Sequence, residues 1–233
     1  MFKAILQKEL RLLFRSNASF VSMIVLTLAF IMIFHFSLEV EGDLSANEIS
    51  GLKWAIIFIL SFVFIGQSNW EEREAGAFQI NSLFLPGQIH YLTKSFLLWI
   101  VLSFFEVLLL LFFAFFFKNF DMTLASLGKH LLFLVPGTLS LVLLGNMLSS
   151  MSFATRLKEV ILPLLLIPFS FPILLFGLEA ERNFTGLGEG KFYSSLGIML
   201  AFVVFYSRSF GRPRAPSKTG HRRRPTISAL TLS

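Results

Sequence analysis

The sequence contains no cysteine and few charged residues. Cysteine is absent from all 233 positions, which excludes disulfides, thiolate metal sites, iron–sulfur clusters and a covalent haem attachment motif. Charged residues make up 15% of the chain, against roughly 25% in a soluble domain. Apolar residues make up 55%, with 30 phenylalanines, and the mean hydropathy is +0.74. This composition indicates an integral membrane protein.

The net charge of +6 does not describe the body of the chain. The segment 207–233 has seven basic residues and no acidic ones. Without it, 13 basic and 14 acidic residues remain, a net charge of −1, so a nucleic-acid-binding role has no basic surface to support it. The segment itself is rich in Arg, Pro and Ser. It predicts a disordered basic tail, which either contacts anionic lipid or has no function.

Six apolar stretches predict an all-α, polytopic membrane fold. A membrane-spanning helix needs about 20 mostly apolar residues. The predicted spans are residues 20–38, 52–68, 95–117, 131–152, 160–178 and 193–206, of which the last is short. Together they form one transmembrane domain over residues 20–206. The charged segment 69–94 is an insert between the second and third spans.

Basic residues before the first span predict a cytosolic N-terminus. With six spans, this orientation puts 15 Lys and Arg in cytosolic segments and 5 in outer loops, or 8 against 5 without the tail. Residues 1–16 carry apolar side chains at helical spacing and basic side chains on the other face. They predict an amphipathic helix in the cytosolic interface, the alternative being a charged flank that only sets the topology.

The insert 69–94 is charged at its start and more apolar further on. Acidic residues favour a helix N-terminus, so the run Glu71–Glu74 predicts the beginning of a short helix. Pro86 and Gly87 are expected to end it. A short cytosolic helix joined to two spans is either a lever between a soluble partner and the membrane domain, or a cap on the bundle.

The insert carries a Glu-Arg-Glu-x-Gly run, then a Leu-Pro turn and a lysine. These residues are Glu72, Arg73, Glu74, Gly76, Leu83, Leu85, Pro86 and Lys94. The pattern resembles the cytosolic segment of type 2 ABC exporter permeases, and Lys8–Ser16 is similar to their start. The resemblance implies that the insert couples the membrane domain to an ATPase. The implied coupling residues are Glu71, Glu72, Arg73, Glu74, Gly76, Leu85 and Pro86.

A more specific match lies further along the chain. Pro136, Gly137, Thr138 and Gly145 precede ATRLKEVILPLLLIPFSFPILLFGLEA, which is residues 154–180. With the earlier motifs, this resembles the CcmB family over about residues 2–206. That family is the membrane subunit of the haem-exporter-type ABC transporter of cytochrome c maturation. The resemblance implies a homodimer in the bacterial inner membrane, with a separate ABC ATPase and other cytochrome c maturation membrane proteins as partners.

Two alternatives remain open, a general exporter of lipids or drugs and an assembly scaffold without a transport cycle. Under the family resemblance, haem is a ligand that is either transported or handled indirectly, and no cofactor is expected to be tightly bound. The stretch Gly186–Phe192 comes nearest to a phosphate-binding loop, but its glycine spacing is wrong and Phe192 replaces the required Ser or Thr. The chain is therefore expected not to be an enzyme.

Four residues within the spans are candidates for function. Glu106 lies at the midpoint of the third span, where a charge costs at least ~2.5 kcal/mol. It is a proton carrier, a substrate contact or a hydrogen-bonded partner of another span. Pro163, Pro168 and Pro172 lie in one span and predict a kink, because each removes a backbone donor. The kinked span is either a moving element or static.

Two histidines lie at span ends that this topology puts on the outer side. His35 comes near the end of the first span and His130 near the start of the fourth. Because imidazole nitrogens can bind haem iron, the two are a candidate ligand pair. The alternative is that both are ordinary interfacial residues.

Overall fold

α-Helices are the only regular secondary structure over the residues that the structure describes. The computed structural model describes residues 17–38, 44–74, 87–117, 120, 123–152, 158–184 and 192–209. The helices are α1 Asn17–Leu38, α2 Ala46–Glu74, α3 Gly87–Phe116, α4 Leu124–Ser152, α5 Lys158–Phe184 and α6 Phe192–Ser209. Within these ranges no strand occurs, and the predicted all-α class is confirmed.

Five of the helices are long and apolar enough to cross a membrane, and α6 is a shorter apolar helix. The chain is thus a polytopic membrane protein. α2 and α3 have 29 and 30 residues. At 1.5 Å per residue each is about 45 Å long, which exceeds the ~30 Å hydrocarbon core of a bilayer. Both helices therefore extend beyond the apolar layer.

The segment between α2 and α3 is shorter than the predicted insert, since it covers only residues 75–86. The run Glu71–Glu74 ends α2 rather than beginning a new helix, and Gly87 begins α3 rather than ending one. Acidic residues at a helix C-terminus oppose the helix dipole by about 0.3–1 kcal/mol each. Here Glu72 is paired with His90 and Lys94 of α3, which offsets that cost and holds the last turn of α2 in place.

Local capping determines where α2 begins. The backbone N–H and the hydroxyl of Ser45 both donate to Glu48 Oε2 at 2.7 Å, and the Glu48 N–H donates to Ser45 Oγ at 3.4 Å. This reciprocal arrangement is a capping box, which satisfies donors that the first turn leaves open. α2 consequently starts six residues before the predicted span 52–68.

α4 is the most buried of the five long helices and α1 the least. α4 packs against α2, α3, α5 and α6, whereas α1 packs mainly against α2 and α3. The core between them is apolar and aromatic, with Phe105, Phe113 and Phe133 at most 1% exposed. Large exposed apolar side chains such as Phe36 and Phe115 are typical of surfaces that face lipid.

Several predicted regions lie outside the described residues. They include the amphipathic helix 1–16, the tail from residue 210 onwards, and the coupling candidates Gly76, Leu85 and Pro86. Arg73 and Glu74 belong to the last turn of α2. The predictions for these residues stay predictions.

Candidate functional site

Buried polar side chains gather at three levels along α4. The levels are marked by His130, Thr138 and Asn146, which are eight residues apart. At 1.5 Å per residue, neighbouring levels are separated by about 12 Å along the helix. The two outer levels are thus about 24 Å apart, close to the thickness of a bilayer's hydrocarbon core, and the middle level lies deep between them.

The first group, the Lys53 cluster, is Ser50, Lys53 and Trp54 of α2, His130 of α4 and Glu181 of α5. Lys53 and Glu181 form an ion pair whose side chains are 0% and 1% exposed. The Trp54 Nε1–H donates to Glu181 Oε2 at 2.7 Å, and the Ser50 hydroxyl donates to Oε1 at 3.3 Å. Both carboxylate oxygens are therefore hydrogen-bonded, which is what a buried charge requires.

His130 brings a proton-dependent contact to the Lys53 cluster. Its Nδ1 is 3.0 Å from Glu181 Oε1 and 2.9 Å from Lys53 Nζ, and its ring stacks on Phe120. A single ring nitrogen either donates to the carboxylate or accepts from the ammonium group. The tautomer of His130 thus decides which of the two hydrogen bonds forms.

The two predicted haem ligands have different surroundings. The ring of His35 packs edge-on against Phe36, Phe116 and Phe117, with centroids 5.3–5.8 Å apart. Because Nδ1 of His130 faces Lys53 and Glu181, haem iron would have to bind its Nε2. The phenylalanines Phe117, Phe113 and Phe120 form a chain of ring contacts from His35 to His130. Both histidines lie at the same end of the helices, and ligation stays a prediction.

Two glycines make room for Trp54 inside the Lys53 cluster. A Cβ atom on Gly137 of α4 would lie 2.5 Å from Trp54 Cη2, and one on Gly177 of α5 would lie 2.4 Å from the same atom. The indole ring therefore occupies a slot between α4 and α5. Small residues of this kind allow close helix packing in membranes.

The second group is Glu106 of α3 beside Thr138 of α4. Glu106 is 2% exposed, and neither carboxyl oxygen has a hydrogen-bond partner among the described residues. The Thr138 hydroxyl instead donates to the carbonyl of Leu134, at 3.1 Å. Glu106 is thus buried within the bundle, and its role stays a prediction.

Glu106→Leu is expected to leave the stability unchanged or raise it by up to about 1–3 kcal/mol. The substitution removes a buried polar group that lacks a described partner and leaves an apolar one of similar size. Glu106→Lys puts an amine at the same buried position and should lower the melting temperature. Thermal unfolding of both variants in detergent checks this. A marked fall for Glu106→Leu would mean that the carboxyl group makes an essential bond.

The third group, the Glu72 cluster, is Asn69 and Glu72 of α2, His90 and Lys94 of α3, and Asn146 of α4. Glu72 Oε1 lies 2.9 Å from His90 Nε2, and Glu72 Oε2 accepts a hydrogen bond from the Lys94 ammonium group. The same ammonium group donates to Asn69 Oδ1 at 2.7 Å. These bonds join α2 to α3 at the end from which segment 75–86 leaves.

Asparagines extend the Glu72 cluster to α4. Asn69 Nδ2 donates to Asn146 Oδ1 at 3.3 Å and to the carbonyl of Ile65 at 2.8 Å. Asn146 Nδ2 donates to the Ser95 hydroxyl at 3.0 Å. Three helices are consequently tied together by polar bonds at this level.

The predicted proline-rich span is a single helix. α5 runs from Lys158 to Phe184 through Pro163, Pro168 and Pro172. Near the latter two, the Ser170 hydroxyl donates to the carbonyl of Ile167 at 2.9 Å. Whether α5 moves stays a prediction.

Sequence reasoning missed the partners rather than the residue types. It counted Lys53 with an outer loop, and it did not pair Glu72 with Lys94. Lys53 and its partner Glu181 are 128 positions apart, and Glu72 and Lys94 are 22 positions apart. No local sequence pattern therefore connects the members of either pair. The available signal was the position of single charges at the edges of apolar runs, where an unpaired charge is costly.

The long apolar helices define a multi-pass membrane protein. A family model described as CcmB protein matches residues 1–207, and the chain belongs to this family. The predicted resemblance is thereby confirmed. The family is the membrane subunit of a haem-exporter ABC transporter in cytochrome c maturation, and it is not itself an enzyme. No curated protein matches the chain.

Proposed function

We propose that this chain is the permease through which a separate ABC ATPase subunit drives haem delivery to the periplasm during c-type cytochrome biogenesis. The observation that carries the proposal is the continuity of α2. One unbroken helix contributes Lys53 to the Lys53 cluster and Glu72 to the Glu72 cluster. At 1.5 Å per residue, the two residues are about 28 Å apart along the helix. It then leads directly into segment 75–86.

Such a helix transmits motion between the two membrane surfaces. At one end α2 is bonded to α4 and α5, and at the other end to α3 and α4. A push on segment 75–86 therefore moves α2 and α3 together and acts on the Lys53 cluster at the far end. ATP-driven closure of the ATPase dimer supplies the push in this mechanism. The chain itself supplies the rigid connection.

We also propose the membrane in which the chain lies, its orientation there and its state of assembly. The chain lies in the inner membrane of a bacterium with its N-terminus in the cytosol, because basic residues precede α1. Segment 75–86 then faces the cytosol, and the Lys53 cluster lies towards the periplasm. The permease acts as a homodimer with other cytochrome c maturation membrane proteins. Haem is handled as a substrate rather than held as a cofactor.

Deletion of the gene is expected to abolish covalent haem staining of membrane c-type cytochromes, and the intact gene should restore it. A strain whose ATPase subunit cannot hydrolyse ATP should also lack the stained bands. Bands that persist after deletion, without a second copy of the gene, would contradict the role in maturation. Bands that need the chain but not ATP hydrolysis would favour the scaffold alternative.

A further inference from the structure

We propose that Glu106 is a proton-binding site in the interior of the bundle, where its side chain is a neutral carboxylic acid at neutral pH. The ligand is a single proton, held on one of the two carboxyl oxygens. The inference concerns this chain alone and goes beyond the proposed role in haem delivery. It follows from three features: the surroundings of the carboxyl group, the bonding of the neighbouring hydroxyl group and the depth of the site.

Two other carboxylates enclosed by the bundle are paired with cations, and Glu106 differs from both. Glu181, whose side chain is 1% exposed, forms an ion pair with Lys53. Glu72, whose side chain is 10% exposed, forms one with Lys94. Glu106 is 2% exposed, and neither of its oxygens has a hydrogen-bond partner among the described residues. A buried charge without a partner is costly, and a carboxyl group avoids that cost by keeping its proton.

The hydroxyl group of Thr138 favours the same protonation state. It is the polar group beside Glu106, and it donates its single proton to the carbonyl of Leu134 or of Val135, both at 3.1 Å. The hydroxyl oxygen therefore has only a lone pair left to offer. A lone pair can accept a hydrogen bond from the O–H group of a neutral acid, whereas a carboxylate has no proton to donate. The local bonding thus fits the protonated form of Glu106.

The depth of the site separates Glu106 from other charges. α3 packs against α1, α2 and α4. Apart from Glu106, the titratable side chains nearest the middle of these four helices all lie within about two turns of a helix end. They are His35 of α1, Lys53 and Glu71 of α2, Lys94 of α3 and His130 of α4. Among the described residues, these helices therefore place no counter-charge for an ionised Glu106 at its level.

A carbodiimide detects the bound proton because its reaction with a carboxyl group uses that proton. The proton moves to one nitrogen of the reagent, and the carboxyl oxygen adds to the central carbon to give an O-acylisourea. The acyl group then moves from oxygen to nitrogen, which leaves a stable N-acylurea on the side chain. Both steps conserve all atoms, so no other reactant is required. A carboxylate that is ion-paired has no proton to supply.

Labelling of the full-length protein in lipid vesicles tests the site. The vesicles are treated at pH 7 with dicyclohexylcarbodiimide, which is apolar, and the labelled peptides are identified by mass spectrometry. An ordinary glutamate in water is only about 0.2% neutral at this pH. We therefore expect Glu106 to be labelled at least about tenfold more than the ion-paired Glu72 and Glu181. Glu179→Gln, at an exposed position of α5, is the matched control and should leave the label on Glu106 unchanged.

Infrared spectroscopy measures the protonation state without a reagent having to reach the site. The difference between the spectra of the unaltered protein and Glu106→Gln at pH 7 should contain the carbonyl stretch of a neutral carboxylic acid. The corresponding difference for Glu179→Gln should contain carboxylate bands alone. If Glu106→Gln does not fold, Glu106→Leu takes its place, since it removes the same group and is expected to keep the stability of the protein.

The outcomes decide between a neutral acid and a buried charge. Carboxylate bands in the Glu106 difference spectrum would overturn the proposal, and so would preferential labelling of Glu72 or Glu181. An acid band without a label still supports the site, because the band does not depend on access of the reagent. Both measurements use this chain without any partner. A failure of the role in haem delivery would therefore leave them unchanged, and the two failures can be told apart.

Discussion

Glu181→Leu is expected to destabilise the protein more than any other single substitution considered for the Lys53 cluster. It leaves the Lys53 ammonium group, which is 0% exposed, without its carboxylate. Breaking a buried ion pair by removing one partner costs about 3–5 kcal/mol. For a protein of this size, that corresponds to a fall of roughly 6–20 °C in melting temperature. Thermal unfolding in detergent, followed by size-exclusion chromatography, measures the effect.

The double variant Lys53→Met/Glu181→Leu distinguishes the loss of a pair from the loss of a residue. Replacing both charges by apolar groups of similar size is often neutral, so the double variant should melt well above Glu181→Leu. Glu179→Gln, two positions away and exposed, should behave as the unaltered protein does. If the fall in the melting temperature of the double variant equals the sum of the falls for Glu181→Leu and Lys53→Met, then Lys53 and Glu181 do not act as a pair.

The helices themselves were predictable because the chain is so apolar. Each long helix contains a long, mostly apolar run, and a bilayer admits few other conformations for such a run. The helix ends were less predictable. The predicted second span covers only residues 52–68, with Lys53 at its edge, whereas α2 begins six residues earlier and continues past Glu72. Those charges are paired within the bundle, so the helix does not have to end at them.

The candidate site was predictable only in its individual members. Glu106 stood out because a carboxyl group in mid-span is rare, and the structure buries it at 2% exposure. Lys53 and Glu181 did not stand out, because each lies near the edge of an apolar run and has an ordinary reading as a loop residue. Their pairing depends on how α2 and α5 pack. That packing is a three-dimensional property without a local sequence pattern.

The slot for Trp54 shows how such packing is specified. The indole ring needs a gap of the width of a missing side chain on both neighbouring helices. Gly137 and Gly177 provide that gap, but they lie 40 positions apart and far from Trp54 in sequence. The Trp54 Nε1–H bond to Glu181 then fixes the ring within the slot. The slot and the Lys53 cluster consequently depend on each other.

Gly177→Ala is expected to lower the stability by about 1–3 kcal/mol, the usual cost of forcing an extra group into a packed core. The added Cβ would lie 2.4 Å from Trp54 Cη2, and the hydrogen bond to Glu181 prevents the ring from moving away freely. Gly137→Ala should act similarly, because its Cβ would lie 2.5 Å from the same atom. The melting temperature in detergent measures both effects.

The control and the rescue follow from the same geometry. A Cβ on Gly66 of α2 meets nothing within 4 Å, so Gly66→Ala should be neutral or stabilising by up to about 1 kcal/mol through helix propensity. Trp54→Phe shortens the ring but also removes the bond to Glu181, so Gly177→Ala is expected to cost less in a Trp54→Phe background than it costs with Trp54 in place. If Gly177→Ala and Gly66→Ala melt at the same temperature, the slot tolerates a methyl group and Trp54 is not held between the two helices. If instead only the slot variants melt early, and Gly177→Ala costs less once Trp54 is Phe, the indole ring is the element that sets the spacing of α4 and α5 around the buried ion pair.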